Sequence, residues 1–280
     1  MPATLIASRS NPRVKQLRAA FAGRARLSGG LIAIEGENMI HEAMRSGIAL
    51  ETVFLSQRGS APAWLPASAE LIELSDDAFA SAADTQTPQG IAALIVPPAW
   101  TLDQALAAGA SGPPPLVLIA AGLQDPGNLG TLVRSAEAFA ATAVLTTPGT
   151  VSQWNQKALR ASAGSVFRVP VVAIAAAEVA GIKARGLRLL AAVAGSSSGP
   201  PAVPVESVDL TEACGLMIGN EGAGLSAELV TLADARISIP MPGPVESLNA
   251  AVAGSLLLYE ASRQRQSASN LKPRAQHVSF

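Results

Sequence analysis

The sequence predicts an α/β protein in two parts, a small front unit and a longer back domain built on a mostly parallel sheet covered by helices. Three observations predict it. Short apolar runs alternate with helical stretches along the chain. The 280 residues are 49% hydrophobic and 15% charged, ample for buried cores and far from the composition of a disordered chain. A stretch rich in proline and alanine, PPAWTLDQALAAGASGPPP at 97–115, divides front from back and leaves room for one short helix.

In the front unit, Ser10-Asn11-Pro12 supplies a cap residue and a first-turn proline, and Val14, Leu17, Arg18 and Phe21 follow at helical spacing. That pattern predicts a basic amphipathic helix within 11–27. LIAIEGENMIHEAMRSGIALETVFLS then reads as a strand at 31–34, a helix across 36–46 stopped by Gly47, and a strand at 51–55. LIELS at 71–75, the helical DDAFASAA and GIAALIV at 90–96 repeat the alternation. Beyond the divide, LVLIAA (116–121), TAVLTT (142–147), VPVVA (169–173), RLLAAVA (188–194), GLMIG (215–219) and ARISIP (235–240) are the expected strands. Ligands of such a sheet lie beyond the carboxyl ends of its strands.

The net charge of −1 hides an uneven distribution. Residues 1–34 carry Arg9, Arg13, Lys15, Arg18, Arg24 and Arg26 with no acid, and residues 261–280 carry Arg263, Arg265, Lys272 and Arg274 with none. Each cluster is a solvated end or a phosphate-binding patch, and neither decides between the two. The longest apolar runs fall well short of a membrane span, and MPATLIASRS lacks the apolar block of a secretory leader. A cytoplasmic protein without membrane contact is the expectation. Cys214, the one cysteine, has no partner for an internal disulfide and reads as a small buried apolar residue. With only His41 and His277 beside it, no metal site is expected. His41 is expected at the surface of the front-unit helix.

Three strand-to-loop junctions crowd glycine, proline and polar residues together. In AGLQDPGNLGTLVRSAEAFA (121–140), Gly127 and Gly130 allow close backbone approach, and Asn128 and Arg134 lie on or beside the following helix. Six positions apart, those two residues sit about 120° from one another round a helix and share a cleft edge only approximately. If this loop stands alone, a plain turn with a helix cap and a surface arginine is the better reading. In LMIGNEGAGLSAEL (216–229), glycines at 219, 222 and 224 follow a strand and precede a helix, presenting N–H groups to a carboxylate, ribose or phosphate. Glu221 at its tip is a poor choice for a bare phosphate cradle, and neither GxGxxG nor GxxxxGK[ST] is matched. In ISIPMPGPVESLNAAVAGSLLLYE (237–260), three prolines and a glycine fix the loop, Glu246-Ser247-Leu248-Asn249 follow, and a long apolar helix comes next, with Ser247 as the expected cap. GSSSG at 195–199 fits the GxSxG pattern of a hydrolase elbow centred on Ser197, but Pro200 and Pro201 follow where an elbow needs a helix, and both histidines lie outside the sheet domain. A serine hydrolase is rejected.

In order and spacing, DPGNLGTLVRSAEAFA, GNEGAGLS and IPMPGPVESLNAAVA resemble the three motifs of the SpoU/TrmH family of RNA ribose 2′-O-methyltransferases. RASAGSVFRVPV at 160–171 resembles the family's stretch between the first two, and SRSNPRVKQLR and IEGENMIHEA resemble the smaller substrate-binding domain often attached in front. The resemblance implies a homodimeric α/β domain whose C-terminal segment is threaded as a trefoil knot, against the general rule that chains are unthreaded, with S-adenosylmethionine bound in the knot. It divides the chain into an RNA-binding domain at 1–96, a linker at 97–115, a methyltransferase domain at 116–262 and a basic tail at 263–280. It assigns Gly219, Ile239 and Leu248 to the cofactor pocket, and Asn128, Arg134, Glu221, Ser247 and Asn249 to the polar active-site set, with no metal. Where many relatives carry valine after the third-motif asparagine this chain has Ala250, which implies a packing change and unaltered chemistry.

Methyl transfer from a sulfonium needs in-line approach of the ribose oxygen, and no histidine is at hand to take its proton. Arg134 is the family's usual candidate base. A guanidinium, a cation that does not readily give up its proton, is better suited to clamp a phosphate and stabilise a developing alkoxide. Glu221 is expected to orient Arg134 or a loop amide. The expected partner is RNA, whose 2′-hydroxyl distinguishes it from DNA, and ribosomal RNA ahead of tRNA because of the front domain. The alternatives are methylation of a base on the same kind of fold and a non-catalytic RNA-binding protein on this scaffold.

Overall fold

The structure is a computed structural model that describes residues 5–23, 30–85, 87–107, 112–194 and 200–271. Arg24, Arg26, Ser197, Lys272, Arg274 and His277 lie outside the described residues. In chain order the elements are α1 (Pro12–Phe21), β1 (Ile32–Glu35), α2 (Glu37–Arg45), β2 (Leu50–Ser56), β3 (Glu70–Leu74), α3 (Asp76–Ala82), β4 (Ile91–Ile95) and α4 (Leu102–Leu106). They continue with β5 (Leu116–Ala120), α5 (Pro126–Ala138), β6 (Ala143–Thr146), α6 (Gln156–Ser162), β7 (Val171–Ala173), α7 (Glu178–Ala184) and β8 (Arg188–Ala192). Last come β9 (Val203–Pro204), β10 (Cys214–Ile218), α8 (Ala227–Leu232), β11 (Ala235–Ser238) and α9 (Ala250–Leu271). The chain forms two compact units, Met1–Ala99 with Ser152–Arg168, and Trp100–Val151 with Val169–Phe280.

In the first unit the strands order β1-β4-β2-β3, with β4 antiparallel to β1 and β2, and β3 parallel to β2. Helix α1 forms as its sequence dictates: Asn11 Oδ1 accepts the Arg13 N–H at 2.9 Å and Pro12 occupies the first turn. Val14, Leu17 and Phe21 meet Phe54, Leu74, Phe79 and Leu94 in one core. The predicted basic face is largely engaged within its own unit. Arg13 pairs with Glu70, Arg9 with Asp77, and Arg18 donates to the carbonyl and hydroxyl of Ser81 at 2.9 Å each, which leaves Lys15 as an exposed cation of this helix. Gly47 stops α2 at positive φ, as expected. His41 lies at the surface of α2 as expected, but half-buried, its ring 4.9 Å from that of Trp64 and tilted at 40° to it. Residues 152–168 join this unit through buried Gln156, whose Nε2 donates to the Ala33 carbonyl at 2.8 Å, and through the Arg168–Glu42 ion pair.

The second unit is a seven-stranded sheet ordered β7-β6-β5-β10-β8-β11-β9, parallel at every pairing. Its central strands β5 and β10 are buried throughout, as the unbroken apolar runs LVLIA and CGLMI require. From β5 the chain first builds outward through β6 and β7, then crosses to the other side, and β10 inserts between β5 and β8 although β8 precedes it. The reversal of build direction beside β5 opens a crevice between the loops that leave β5 and β10. Strand β9 has no counterpart in the sequence reading, because Val203–Pro204 is two residues long and its proline suits only a sheet edge. Cys214 opens β10 and is 1% exposed, in keeping with its reading as a small apolar residue, and burial pushes its thiol pKa up. Helix α9 packs against α5, β5 and β10. Among the described residues no helix is long and apolar enough to cross a membrane.

Candidate active site

Each of the three junctions is held by its own local chemistry. After β5, Asp125 caps α5, its Oδ1 accepting the N–H groups of Gly127 and Asn128 at 2.5 and 3.1 Å, and Pro126 begins the helix. This places Asn128 in the first turn. After β10, Asn220 shapes the glycine loop: its backbone exchanges hydrogen bonds with Gly224 at 3.0 and 2.9 Å, its Oδ1 accepts from Gly222 and Ala223, and its Nδ2 donates to the Gly122 carbonyl at 2.9 Å. Gly219 is obligatory here. A Cβ on it would lie 2.1–2.4 Å from backbone atoms of Gly224 and Leu225, which have no side-chain freedom to give way.

The third junction differs from the sequence reading. Asn249, not Ser247, caps α9: its Oδ1 accepts the N–H groups of Ala251 and Val252 at 2.9 and 3.2 Å, and its carbonyl takes the Ala253 N–H. The helix starts at Ala250, so Ser247 stands too far back for its hydroxyl to reach the free amides of the first turn. With Oδ1 so engaged, the Asn249 Nδ2 faces Asn128 and donates to its Oδ1 at 3.1 Å. The Asn128 Nδ2 in turn donates to Glu221 Oε1 at 2.8 Å. Three loops remote in sequence are thereby joined by one chain of side-chain hydrogen bonds.

Glu221 does not engage Arg134. Burial alone would raise its pKa. The Asn128 amide and the backbone amides of Glu221 itself, Gln124 and Asp125 outweigh that and hold the carboxyl below its ordinary value. Of its two expected roles the structure supports the second, orienting loop amides. Arg134 is exposed on α5, with no hydrogen bond or ion pair among the described residues.

A cavity of about 730 Å³ opens at the carboxyl ends of β8, β10 and β11, within the size range of small-molecule sites. Gly219, Glu221, Ile239, Ser247 and Leu248 line it, with Ala250, Ala253 and Leu257 from α9. Asn128, Arg134 and Asn249 are not on its wall; the first and last reach it through Glu221. Its apolar side chains suit a heteroaromatic ring, the 219–225 backbone offers polar groups to a ribose, and the Glu221 carboxylate suits a cationic sulfonium or ammonium group. The residues present therefore fit S-adenosylmethionine. Asn220 is absent from the sequence-derived set. Its signal is visible afterwards, an asparagine one residue after a strand-ending glycine, the setting of an Asx turn. Among the described residues no group of three or more His, Cys, Asp or Glu side chains is placed to hold a metal ion.

Parallel-sheet topology, a switch point and a cavity beyond the strand ends define a small-molecule-binding α/β domain. A model described as the SpoU rRNA Methylase family matches residues 115–259, and an MRM3-like substrate binding domain model matches residues 11–93. The chain belongs to the SpoU rRNA methylase family. It is 33% identical, over 91% of its length and 97% of the relative's, to the 23S rRNA (guanosine(2553)-2′-O)-methyltransferase RlmP of Bacillus subtilis (strain 168). Among solved structures it is similar to the SpoU methyltransferase AviRb from Streptomyces viridochromogenes in complex with AdoMet, with TM-score 0.79 and 29% identity, covering 92% of this chain and 99% of that one. A structure described as an RNA 2′-O ribose methyltransferase aligns with TM-score 0.77 and 34% identity over 94% of this chain and all of the other.

Proposed function

We propose that this protein transfers the methyl group of S-adenosylmethionine to a ribose 2′-hydroxyl of ribosomal RNA. The observation that carries the reading is the Asn249–Asn128–Glu221 chain, which ends in a carboxylate on the wall of a cavity fitting that cofactor. Bound there, the cofactor supplies an electrophilic methyl on a sulfonium. Gly219, Ile239 and Leu248 bind it through backbone contacts and apolar cover, and Glu221 faces its positive charge. Asn128, Ser247 and Asn249 hold the loops and the nucleotide. Glu221 is no general base: a carboxyl held ionised by several donors is too weak a base to take a hydroxyl proton. Arg134, exposed and permanently charged, clamps the RNA phosphate and stabilises the developing alkoxide, the proton passing to water.

The remaining assignments belong to the same reading. Residues 1–96 bind RNA, 97–115 link and 116–262 carry out methyl transfer, except that 152–168 pack with the first unit; the basic residues from 263 onward begin on the last turns of α9. Insertion of β10 between β5 and β8, followed by the return of α9 onto β5, β10 and α5, supports a trefoil-knotted C-terminal segment. A homodimer is supported by Val252, Leu256 and Tyr259, apolar and exposed on one stripe of α9 at i, i+4 and i+7. The protein works in the cytoplasm. Ribosomal RNA is preferred to tRNA because the relative at 33% identity, covered over 97% of its own length, is named for 23S rRNA.

The test compares total RNA from strains with and without the gene, digested by nuclease and read by mass spectrometry. A ribose methyl missing from 23S RNA in the deletion strain is the expected result. A ribose methyl missing from tRNA, a missing base methyl, or no difference would replace the reading with tRNA methylation, base methylation or RNA binding alone.

A further inference from the structure

The three motif-bearing segments meet physically at a residue in none of the expected catalytic or cofactor-binding sets. Gly254 is buried on α9, one turn beyond the cap that holds Asn249. A Cβ at this position would stand 2.3 Å from Leu132 Cδ2 on α5 and 3.5 Å from Ile218 Cγ1 at the end of β10. Leu132 is four residues along α5 from Asn128, and Ile218 precedes Gly219. The missing side chain is what lets α9 lie close against α5, whereas toward Ile218 a Cβ would make only ordinary contact; one residue further on the hydroxyls of Ser135 and Ser255 meet at 2.7 Å across the same pair of helices.

We infer that Gly254 is a positioning residue for methyl transfer: by letting α9 close onto α5, it sets the spacing at which Asn249 reaches Asn128 and at which Ala250, Ala253 and Leu257 form the cavity wall. The amide–amide bond at 3.1 Å tolerates little separation before it ceases to be a hydrogen bond. Leu132 is fully buried and closely packed, so its displaced methyl meets further neighbours rather than solvent. An added methyl at 254 therefore acts on helix spacing, and its effect arrives at the site through Asn249. The inference rests on the methyltransferase reading.

The experiment is a volume-exchange cycle on the full-length protein, with Gly254→Ala, Leu132→Val and the pair together. The double variant restores the number of carbon atoms at the crossing, and such volume-conserving swaps are the best tolerated. Single-turnover methylation at saturating RNA and cofactor, S-adenosylmethionine affinity by calorimetry, and the melting midpoint are read for each. Gly254→Ala is expected to slow methyl transfer by about tenfold and weaken cofactor binding severalfold, a displacement below 1 Å being enough. Leu132→Val should stay within about threefold of the parent and the double variant should return to within the same range, as compensating contacts do. A lowered melting midpoint with rate and affinity unchanged in Gly254→Ala overturns the inference, as does a deficit that the double variant leaves uncorrected. Should Gly254→Ala fail to fold, the double variant against Leu132→Val alone decides by the same measures. If the parent methylates no RNA but binds S-adenosylmethionine, the functional reading fails and the affinity arm still judges the crossing.

Discussion

The side chain of Asn249 does two jobs with its two ends: Oδ1 caps helix α9, and Nδ2 donates to Asn128 Oδ1 at 3.1 Å, 121 residues away in sequence. The cap dictates which end faces Asn128, and the Asn128 amide is thereby turned with its Nδ2 toward Glu221. Folding of one helix end sets the orientation of a polar chain spanning three loops.

The two jobs separate by substitution. Asn249→Asp keeps an acceptor for the cap and loses the donor, so the melting midpoint should hold while single-turnover methylation falls by about a hundredfold, the scale of a misplaced catalytic group. Asn249→Ala removes both, and should lower stability by about 1 kcal/mol in denaturant titration as well.

Glu221 carries a pH signature. Its folded pKa is depressed, so its contribution is fully present above the ordinary carboxylate pKa and is lost only as pH falls through the lower folded value. S-adenosylmethionine affinity should therefore stay flat from neutral pH down through the ordinary carboxylate range and weaken only below it. In Glu221→Gln the affinity should be reduced at neutral pH to about the level the parent reaches in acid, and lose that acid limb, as calorimetry across a pH series would read.

Gly219 has backbone, not side chain, in the place a Cβ would take. Gly219→Ala should open the 219–225 loop and abolish measurable cofactor binding in calorimetry, with a stability loss of about 1–3 kcal/mol from overpacking. The contrast with Gly254, whose neighbours are side-chain carbons, is one of degree set by what can move.

Arg134→Lys keeps charge and loses the planar fork. If the guanidinium grips a phosphate by two parallel bonds, the RNA KM should rise by about tenfold with a smaller change in kcat, and the salt dependence should be no steeper than the parent's, since the charge is unchanged.

The exposed stripe on α9 predicts association. Sedimentation should give twice the chain mass for the parent, and Leu256→Asp should give the monomer, since a carboxylate cannot be buried unpaired in an apolar interface.

The sequence by itself determined the elements, because apolar runs, caps and glycine stops act over a few residues. Asn11-Pro12 starts α1 and Gly47 ends α2 through contacts made within one turn. It also determined which loops matter, since the motif strings at 125–140, 219–226 and 239–253 are legible one by one. What the tertiary structure alone decided is how they join. That Asn249 and not Ser247 caps α9, that Glu221 answers Asn128 and not Arg134, and that Asn220 and Gly254 hold the loops in register follow from strand order, which inserts β10 beside β5 and brings α9 back against both. Arg13 on α1 and Arg9 just before it make the same point, because their acids, Glu70 and Asp77, lie more than fifty residues away. Local propensity is short-ranged; hydrogen-bond partners and close backbone approach are properties of distance in space, which periodicity along the chain does not encode.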